Sequence, residues 1–231
     1  MKFLAINTAG AAVEAAVYSG GATFYKADAE FKKASAVCLP FIDALLAEAK
    51  LTLSDLDFIA AVSGPGSFTG IRIGLTILRA FCQLLHLPAV TVTYADVLSY
   101  NIGEPGNGEP SAYESVITVS DASNGFLYLA AFDAASRDIL LPPAVLRTGQ
   151  IAAFLESVDE PCVVCPDKSS EKLAVSAGKP VAPIKTDGSA LVAAVISAYE
   201  KRGAIPYCQA APLYVRQSQA EEGLRLAGGK K

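Results

Sequence analysis

The sequence predicts an α/β fold in which a partly parallel sheet flanked by helices is built twice. In the first half, short apolar strands alternate with helical segments, which is typical of layered α/β proteins. One strand–turn–strand plan then recurs, because FLAINTAGAAVEAAVY (3–18) and VITVSDASNGFLYLAAF (116–132) each place Asn or Asp at the end of an apolar strand. The Gly- and Pro-rich stretch 103–114 predicts a linker between halves at 1–102 and 115–231.

The first half divides into three strands followed by alternating helices and strands. A Gly20–Gly21 turn separates the second and third strands, and Ser35 is the expected N-cap of the first helix. Ser54 is a further cap candidate before the next strand. In chain order, we expect strands over 2–8, 11–18 and 22–31, a helix over 35–49, a strand within 55–63, a helix over 71–85, a strand over 89–94 and a helix over 95–102.

The second half opens with the 116–132 hairpin. After it we expect a helix over 148–158, a strand over 161–166, a short helix over 170–177 and a long helix over 188–202.

Composition excludes several classes of function. The 231 residues are 52% hydrophobic, enough for a large core, and 19 Lys+Arg against 23 Asp+Glu give a net charge of −4. No block of Lys and Arg forms a nucleic-acid-binding surface. Five cysteines in a chain with ample core argue against a disulfide framework and for a cytoplasmic location. The N-terminus is too short for a secretion signal, and no membrane span is expected.

The stretch SGPGSFTGIRIG (63–74) has the composition of a ligand-binding loop. Gly70 is followed by Ile71 rather than lysine, so it is no P-loop, and the spacing of its glycines does not fit the dinucleotide fingerprint. A helix N-terminus still attracts anions, and Arg72 would add charge. A plain strand-to-helix turn is the alternative. The loop residues in question are Gly64, Pro65, Gly66, Ser67, Phe68, Thr69 and Gly70.

The helix over 71–85 is apolar except for one narrow stripe, formed by Arg72, Thr76, Arg79 and Gln83. Together with the helix over 35–49, it predicts either a partner interface or two helices covered by the second half of the chain. The candidate interface residues are Leu45, Gly74, Leu75, Leu78 and Cys82.

Catalytic and metal signals are weak. His86 is the single histidine, and we expect it to cap or pack rather than ligate. Cys162 and Cys165 would point to opposite faces of one strand, as packing residues. Asn7 and Asp121 end the first strand of each half, which makes them either a vestigial nucleotide site or turn residues. We expect no metal and no cofactor.

The segments FLAINTAGAAVEAAVY, LPFIDALLAEA, SDLDFIAAVSGPGSFTGIRIGLTILRA, LPAVTV and APLYVRQSQAE together resemble the TsaB (YeaZ) family. The resemblance implies a duplicated actin-like (ribonuclease-H-like, ASKHA) fold with two mixed sheets flanked by helices. It also implies a non-catalytic subunit that supports a TsaD-type homologous subunit in tRNA N6-threonylcarbamoyladenosine modification. A TsaE-type ATPase joins the same assembly, and the N-terminal helices form the dimer.

Some positions depart from the family pattern, and these count against a nucleotide site in this chain. Asn7 stands where the family usually has Asp, Ala34 precedes Ser35 where His is common, and Ser123 replaces an Arg. We expect a homodimer when the chain is alone and no direct tRNA binding. The alternatives are a small actin-fold ATPase or phosphotransferase using Asp121, a glycoprotease-like hydrolase, and a protein that associates only with itself.

Overall fold

The computed structural model describes residues 1–28, 34–102, 113–184 and 186–216. Its first sheet contains β1 (Lys2–Asn7), β2 (Val13–Ser19), β3 (Ala22–Asp28), β4 (Phe58–Val62) and β5 (Ala89–Val92). The strand order is β3-β2-β1-β4-β5, with β2 antiparallel to β1 and β3, and with β4 and β5 parallel to β1.

The second sheet contains β6 (Ser115–Asp121), β7 (Phe126–Asp133), β8 (Ile139–Arg147), β9 (Pro161–Val164) and β10 (Val181–Ala182). Its order is β10-β9-β6-β7-β8. Read from β8 to β10, this order matches that of the first sheet read from β3 to β5. β6 is antiparallel to β7 and parallel to β9, as β1 is to β2 and β4. The predicted duplication is therefore confirmed by topology as well as by the matching hairpins.

The described residues also form six helices. They are α1 (Ala34–Glu48), α2 (Phe68–Leu85), α3 (Tyr94–Ser99), α4 (Ile151–Glu156), α5 (Lys168–Ser176) and α6 (Ser189–Arg202). Short 3-10 turns lie at Leu53–Asp55, Thr148–Gln150 and Tyr207–Gln209.

Three predicted boundaries in the first half are wrong. α2 begins at Phe68 rather than residue 71, because the Ser67 hydroxyl accepts a hydrogen bond from the Gly70 N–H (3.2 Å) and so caps the helix. Ser35 lies inside α1 and does not cap it. Ser54 lies within a 3-10 turn that Thr52 caps. The predicted end of the third strand, 29–31, lies outside the described residues.

β8 was not predicted at all. Its sequence, ILLPPAVLR, contains Pro142 and Pro143, and proline argues against a central strand because it cannot donate to the sheet. β8 accommodates them because it is an edge strand, paired only with β7.

One hydrophobic core joins the two halves. It contains residues of both sheets, such as Ile6 and Phe132, together with much of α3 and α6. α6 packs on β5, β1 and β2, and Ile205 bridges to Ala89 of β5, so the segment that follows α6 returns to the first sheet. Residues 103–112 of the predicted linker lie outside the described residues.

The isolated polar residues behave as the sequence indicates. His86 is the C-cap of α2, in the left-handed conformation (φ 56°), and its N–H donates to the Cys82 carbonyl. Cys162 packs in the core shared by the halves, whereas Cys165 packs in a separate cluster of the second half. Burial raises the pKa of the Cys165 thiol to about 12, as befits a packing residue.

α2 is the one helix in the described part of the chain whose length and composition would suffice to cross a membrane. This is weak evidence, because the core helix of a soluble protein meets the same criteria. Six α2 residues are buried in the fold.

Candidate functional site

A cavity of about 570 Å³ lies between the two halves, at the carboxyl ends of the parallel strands. Ligands bind at this edge in open α/β sheets. Each half contributes a turn after its first strand and a loop after its fourth. The lining includes Gly10 and Ala11, Gly66 to Thr69, Tyr94, Ser120 to Ser123, Asp167 and Arg216.

The loop from Gly64 to Gly70, which we call the signature loop, is shaped by close backbone packing. A Cβ on Gly64 would lie 2.6 Å from the Leu213 carbonyl oxygen, and one on Gly66 would overlap the Ala9 carbonyl oxygen. Both glycines have positive φ (125° and 153°), which disfavours any other residue. These two glycines let the loop contact both the turn after β1, at Ala9, and the segment after α6, at Leu213.

Several backbone groups of the signature loop form hydrogen bonds within the protein. The Ser67 N–H donates to the Ala9 carbonyl (2.9 Å), and the Gly64 carbonyl accepts from the Tyr94 N–H (2.8 Å). The sequence suggested that Arg72 would add its charge to the anion-binding loop, but Arg72 does not line the cavity. Its Nε donates to the Tyr214 hydroxyl (2.9 Å), outside the lining. Gly66 to Thr69 do form one cavity wall.

Asn7 does not reach the cavity. Its side chain is fully buried, its amide N–H donates to the Glu14 carboxylate, and its carbonyl oxygen accepts from the Ala9 N–H (3.0 Å). The other oxygen of Glu14 accepts from the Tyr25 hydroxyl (2.6 Å). Asn7 therefore holds the first hairpin, as its alternative interpretation predicted, and its assignment to a vestigial nucleotide site is wrong.

Asp121 does line the cavity, where it is joined by Asp167, which sequence reasoning missed. Asp121 is exposed, and its Oδ1 accepts from the Ser123 N–H (2.8 Å), which holds the second hairpin. Asp167 caps α5 by accepting from the Ser169 and Ser170 N–H groups (3.1 and 2.8 Å), and its Oδ2 accepts from the Asp121 N–H (3.1 Å). An Asp directly before a helix was the available signal.

Hydrogen bonding controls the ionisation of Asp167. Partial burial raises its pKa, but the bonds from Ser169, Ser170 and Asp121 outweigh burial and hold the pKa below the usual value. Tyr94 lies across the cavity at the start of α3 and is almost completely buried. Burial raises the Tyr94 pKa, and the negative charges of Glu14 and Asp167 raise it further. The cavity thus combines an ionised carboxylate with a neutral phenol.

The cavity's chemistry is acidic. It contains two carboxylates and one guanidinium, Arg216, which is already bonded to two carbonyl groups. Within residues 1–28, 34–102, 113–184 and 186–216, no three His, Cys, Asp or Glu side chains group as they would around a metal ion.

The five predicted interface residues lie inside the chain. Leu45, Leu78 and Cys82 are completely buried, and Gly74 and Leu75 are nearly so. A Cβ on Gly74 would lie 2.5 Å from the Thr8 hydroxyl, so this glycine brings α2 close to the first sheet rather than to a partner. The assignment of these five side chains to a partner surface is therefore corrected, because they face the chain's own sheet.

A different set of apolar residues remains accessible on the same two helices. On α2, Ile73, Ile77, Phe81 and Leu84 recur at intervals of three or four residues and form one stripe. Val37 and Phe41 form a shorter stripe on α1, and Val37 packs in one cluster with Ile73 and Ile77. These six residues are half-buried except Leu84, which is 72% exposed. We refer to them as the α1–α2 face.

The duplicated sheets, the shared core and the cavity between the halves define an actin-like protein. The solved structure of YeaZ from Pseudomonas aeruginosa has the same fold, with a TM-score of 0.75, 22% sequence identity, and 92% of this chain and 99% of that one covered. The sequence profile of the TsaD family, tRNA N6-adenosine threonylcarbamoyltransferase, matches residues 30–161, more than half of the chain.

Relatives that carry a more specific name agree with this result. The chain is 33% identical over 96 residues to the tRNA threonylcarbamoyladenosine biosynthesis protein TsaB of Buchnera aphidicola, which covers 42% of this chain and 46% of that protein. With TsaB of Escherichia coli it is 27% identical over 132 residues, or 57% and 55% of the two chains. Each match spans about half the length of the relative. The chain belongs to the family of the matching profile, TsaD, and within it is similar to the TsaB (YeaZ) proteins.

Proposed function

We propose that this chain is a non-catalytic partner subunit that supports a TsaD-type subunit in tRNA N6-threonylcarbamoyladenosine modification. The observation that carries the proposal is the α1–α2 face, where a stripe of apolar side chains ends in the 72% exposed Leu84. Apolar stripes left on two neighbouring helices are typical of a surface that another subunit covers.

The family supports a homologous subunit as the occupant of this face. A surface that pairs with a homologous fold can also pair with its own copy, so the isolated chain is expected to form a homodimer through the same helices. A TsaE-type ATPase completes the proposed assembly, which is cytoplasmic. The subunit itself requires no cofactor in this proposal.

The state of Asn7 favours a supporting role over a catalytic one. In an actin-like ATPase, an acidic side chain at the end of the first strand would face a bound metal ion. Here the position carries a neutral amide whose donor and acceptor are both used inside the hairpin. Binding of RNA belongs to other subunits in this proposal, because a chain with net charge −4 has little electrostatic attraction for it.

A small actin-fold ATPase or phosphotransferase is the second candidate. The cavity favours it, since Asp121 ends β6 and Asp167 follows the neighbouring parallel strand β9, at the N-terminus of α5. Such a protein would turn over nucleotide without any partner.

Reconstitution distinguishes the two candidates. Threonylcarbamoyl transfer to substrate tRNA is measured with TsaD-type and TsaE-type subunits, with and without this chain. We expect transfer to require the chain and to change less than about twofold with Asp121→Asn, which preserves the bond to Ser123. ATP hydrolysis by the chain alone that Asp121→Asn abolishes would establish the second candidate instead.

A further inference from the structure

The chain returns to α2 after α6 and runs back along it. The Arg79 guanidinium donates to the Cys208 carbonyl (3.0 Å) near the end of α2. The Leu213 N–H then donates to the Ser63 carbonyl (2.7 Å), just before the signature loop. The segment after α6 therefore lies against the polar stripe of α2, through Arg79.

Tyr214 fastens this segment to the first half. Its ring stacks on Phe68 with centroids 4.2 Å apart and an interplanar angle of 3°, and its hydroxyl accepts from Arg72 Nε (2.9 Å). Phe68 is also a wall of the cavity. Leu213 also packs against the loop, because its carbonyl oxygen lies only 2.6 Å from where a Cβ on Gly64 would be.

Arg216 fastens the same segment to the second half. Its Nη1 donates to the Ala122 and Ser123 carbonyl groups (2.7 and 2.8 Å), which belong to the turn between β6 and β7. The guanidinium also lies 4.2 Å from the centroid of the Phe126 ring. Ala122 and Ser123 form the cavity wall opposite Phe68.

Only Val215 lies between the two anchoring residues, so the Cα atoms of Tyr214 and Arg216 cannot be more than about 7 Å apart. The shared core of α3 and α6 joins the halves elsewhere. We propose that residues 213–216 are a strap that fastens the halves across the mouth of the cavity and holds the cavity at one width. The walls at Phe68 and Ser123 can separate only if the anchor at Tyr214 or the anchor at Arg216 breaks.

Distance measurement between spin labels tests the strap. Labels are attached through Ala47→Cys on α1 and Lys172→Cys on α5, both exposed, in a Cys208→Ser background that removes the one exposed cysteine among the described residues. We expect a single narrow distance distribution with the native strap. Arg216→Ala and Tyr214→Ala should each broaden it or add a longer distance, and Arg216→Lys should have an intermediate effect because lysine lacks the guanidinium fork.

Arg147→Ala is the matched control, since Arg147 lies over the same Phe126 ring (5.3 Å) but extends from β8 within the second half. Amide exchange provides a second readout. Arg216→Ala should speed exchange of the Leu213 amide by at least about tenfold and leave the Tyr94 amide, bonded to Gly64, unchanged. An unchanged distribution in Arg216→Ala, or equal broadening in Arg147→Ala, would overturn the proposal.

Discussion

At the scale of single residues, Asn7 and Glu14 form a matched pair. The amide of the buried Asn7 donates to the half-buried Glu14 carboxylate, whereas an aspartate at this position would face Glu14 with like charge. The carboxylate on β2 therefore favours a neutral residue at the end of β1.

Asn7→Asp is expected to destabilise the fold by about 1–3 kcal/mol at neutral pH, because it replaces a hydrogen bond with repulsion between carboxylates. Protonating one carboxyl removes the repulsion, so the loss should be smaller near about pH 5 than near about pH 8. Urea denaturation at the two pH values measures both effects. Glu14→Gln should rescue the variant, because glutamine restores a donor–acceptor pair. A variant as stable as the native chain, or one that Glu14→Gln does not rescue, would refute the pairing.

Residue roles could be predicted from sequence only where they are local. Asn7 and Asp121 are the last residues of β1 and β6, and their hydrogen bonds from the Ala9 and Ser123 N–H groups are those of turn residues, which was one of the two interpretations open from sequence. The side of α2 that meets the sheet is not local information, because apolar residues surround most of that helix. Leu78 was therefore assigned to a partner although it is completely buried. Leu78→Glu would disrupt the core rather than an interface.

At the scale of elements, the spacing of hydrophobic residues predicts the order of strands and helices. The predicted elements differ from the observed ones where a capping residue sets the start of a helix or where a strand lies at the edge of a sheet. Ser67 caps α2, so the helix begins within the signature loop, and β8 was not predicted because it contains two prolines. α5 also begins before its predicted start, at Lys168, because Asp167 caps it. Sequence patterns indicate which segments are apolar. A capping hydrogen bond depends on backbone geometry that forms only in the folded chain, so the helix starts were predicted less accurately than the order of elements.

Asp167→Ala is expected to destabilise the chain by about 1 kcal/mol at neutral pH, because α5 loses its N-cap. The pKa of Asp167 is lower in the folded state, so its stabilisation is present above the unfolded value and is lost as pH falls through the folded value. The difference between native chain and variant should therefore shrink in acid. Thermal denaturation from neutral to acidic pH measures it, with the exposed Glu156→Ala as a control that should behave like the native chain. A difference that persists unchanged in acid would contradict this account.

At the scale of the whole molecule, duplication was visible in the sequence but the way the halves join was not. The two hairpins share a residue pattern, so the repeated sheets could be predicted. The return of α6 to the first sheet depends on contacts between distant segments, such as Ile205 with Ala89. The cavity has the same origin, since its walls come from four loops and the C-terminal segment.

The central claim is that the α1–α2 face docks a TsaD-type subunit, and the most direct test is the affinity of that association. Leu84→Glu places a carboxylate on the face at a position exposed enough to leave the isolated fold intact. Val175→Glu on α5 is the matched control, since Val175 is an apolar helical residue that is 60% exposed in the other half. Isothermal titration calorimetry with the TsaD-type subunit should show binding weakened at least about tenfold by Leu84→Glu and unchanged by Val175→Glu. Equal affinity for the native chain and Leu84→Glu, or no association of the native chain, would contradict the claim.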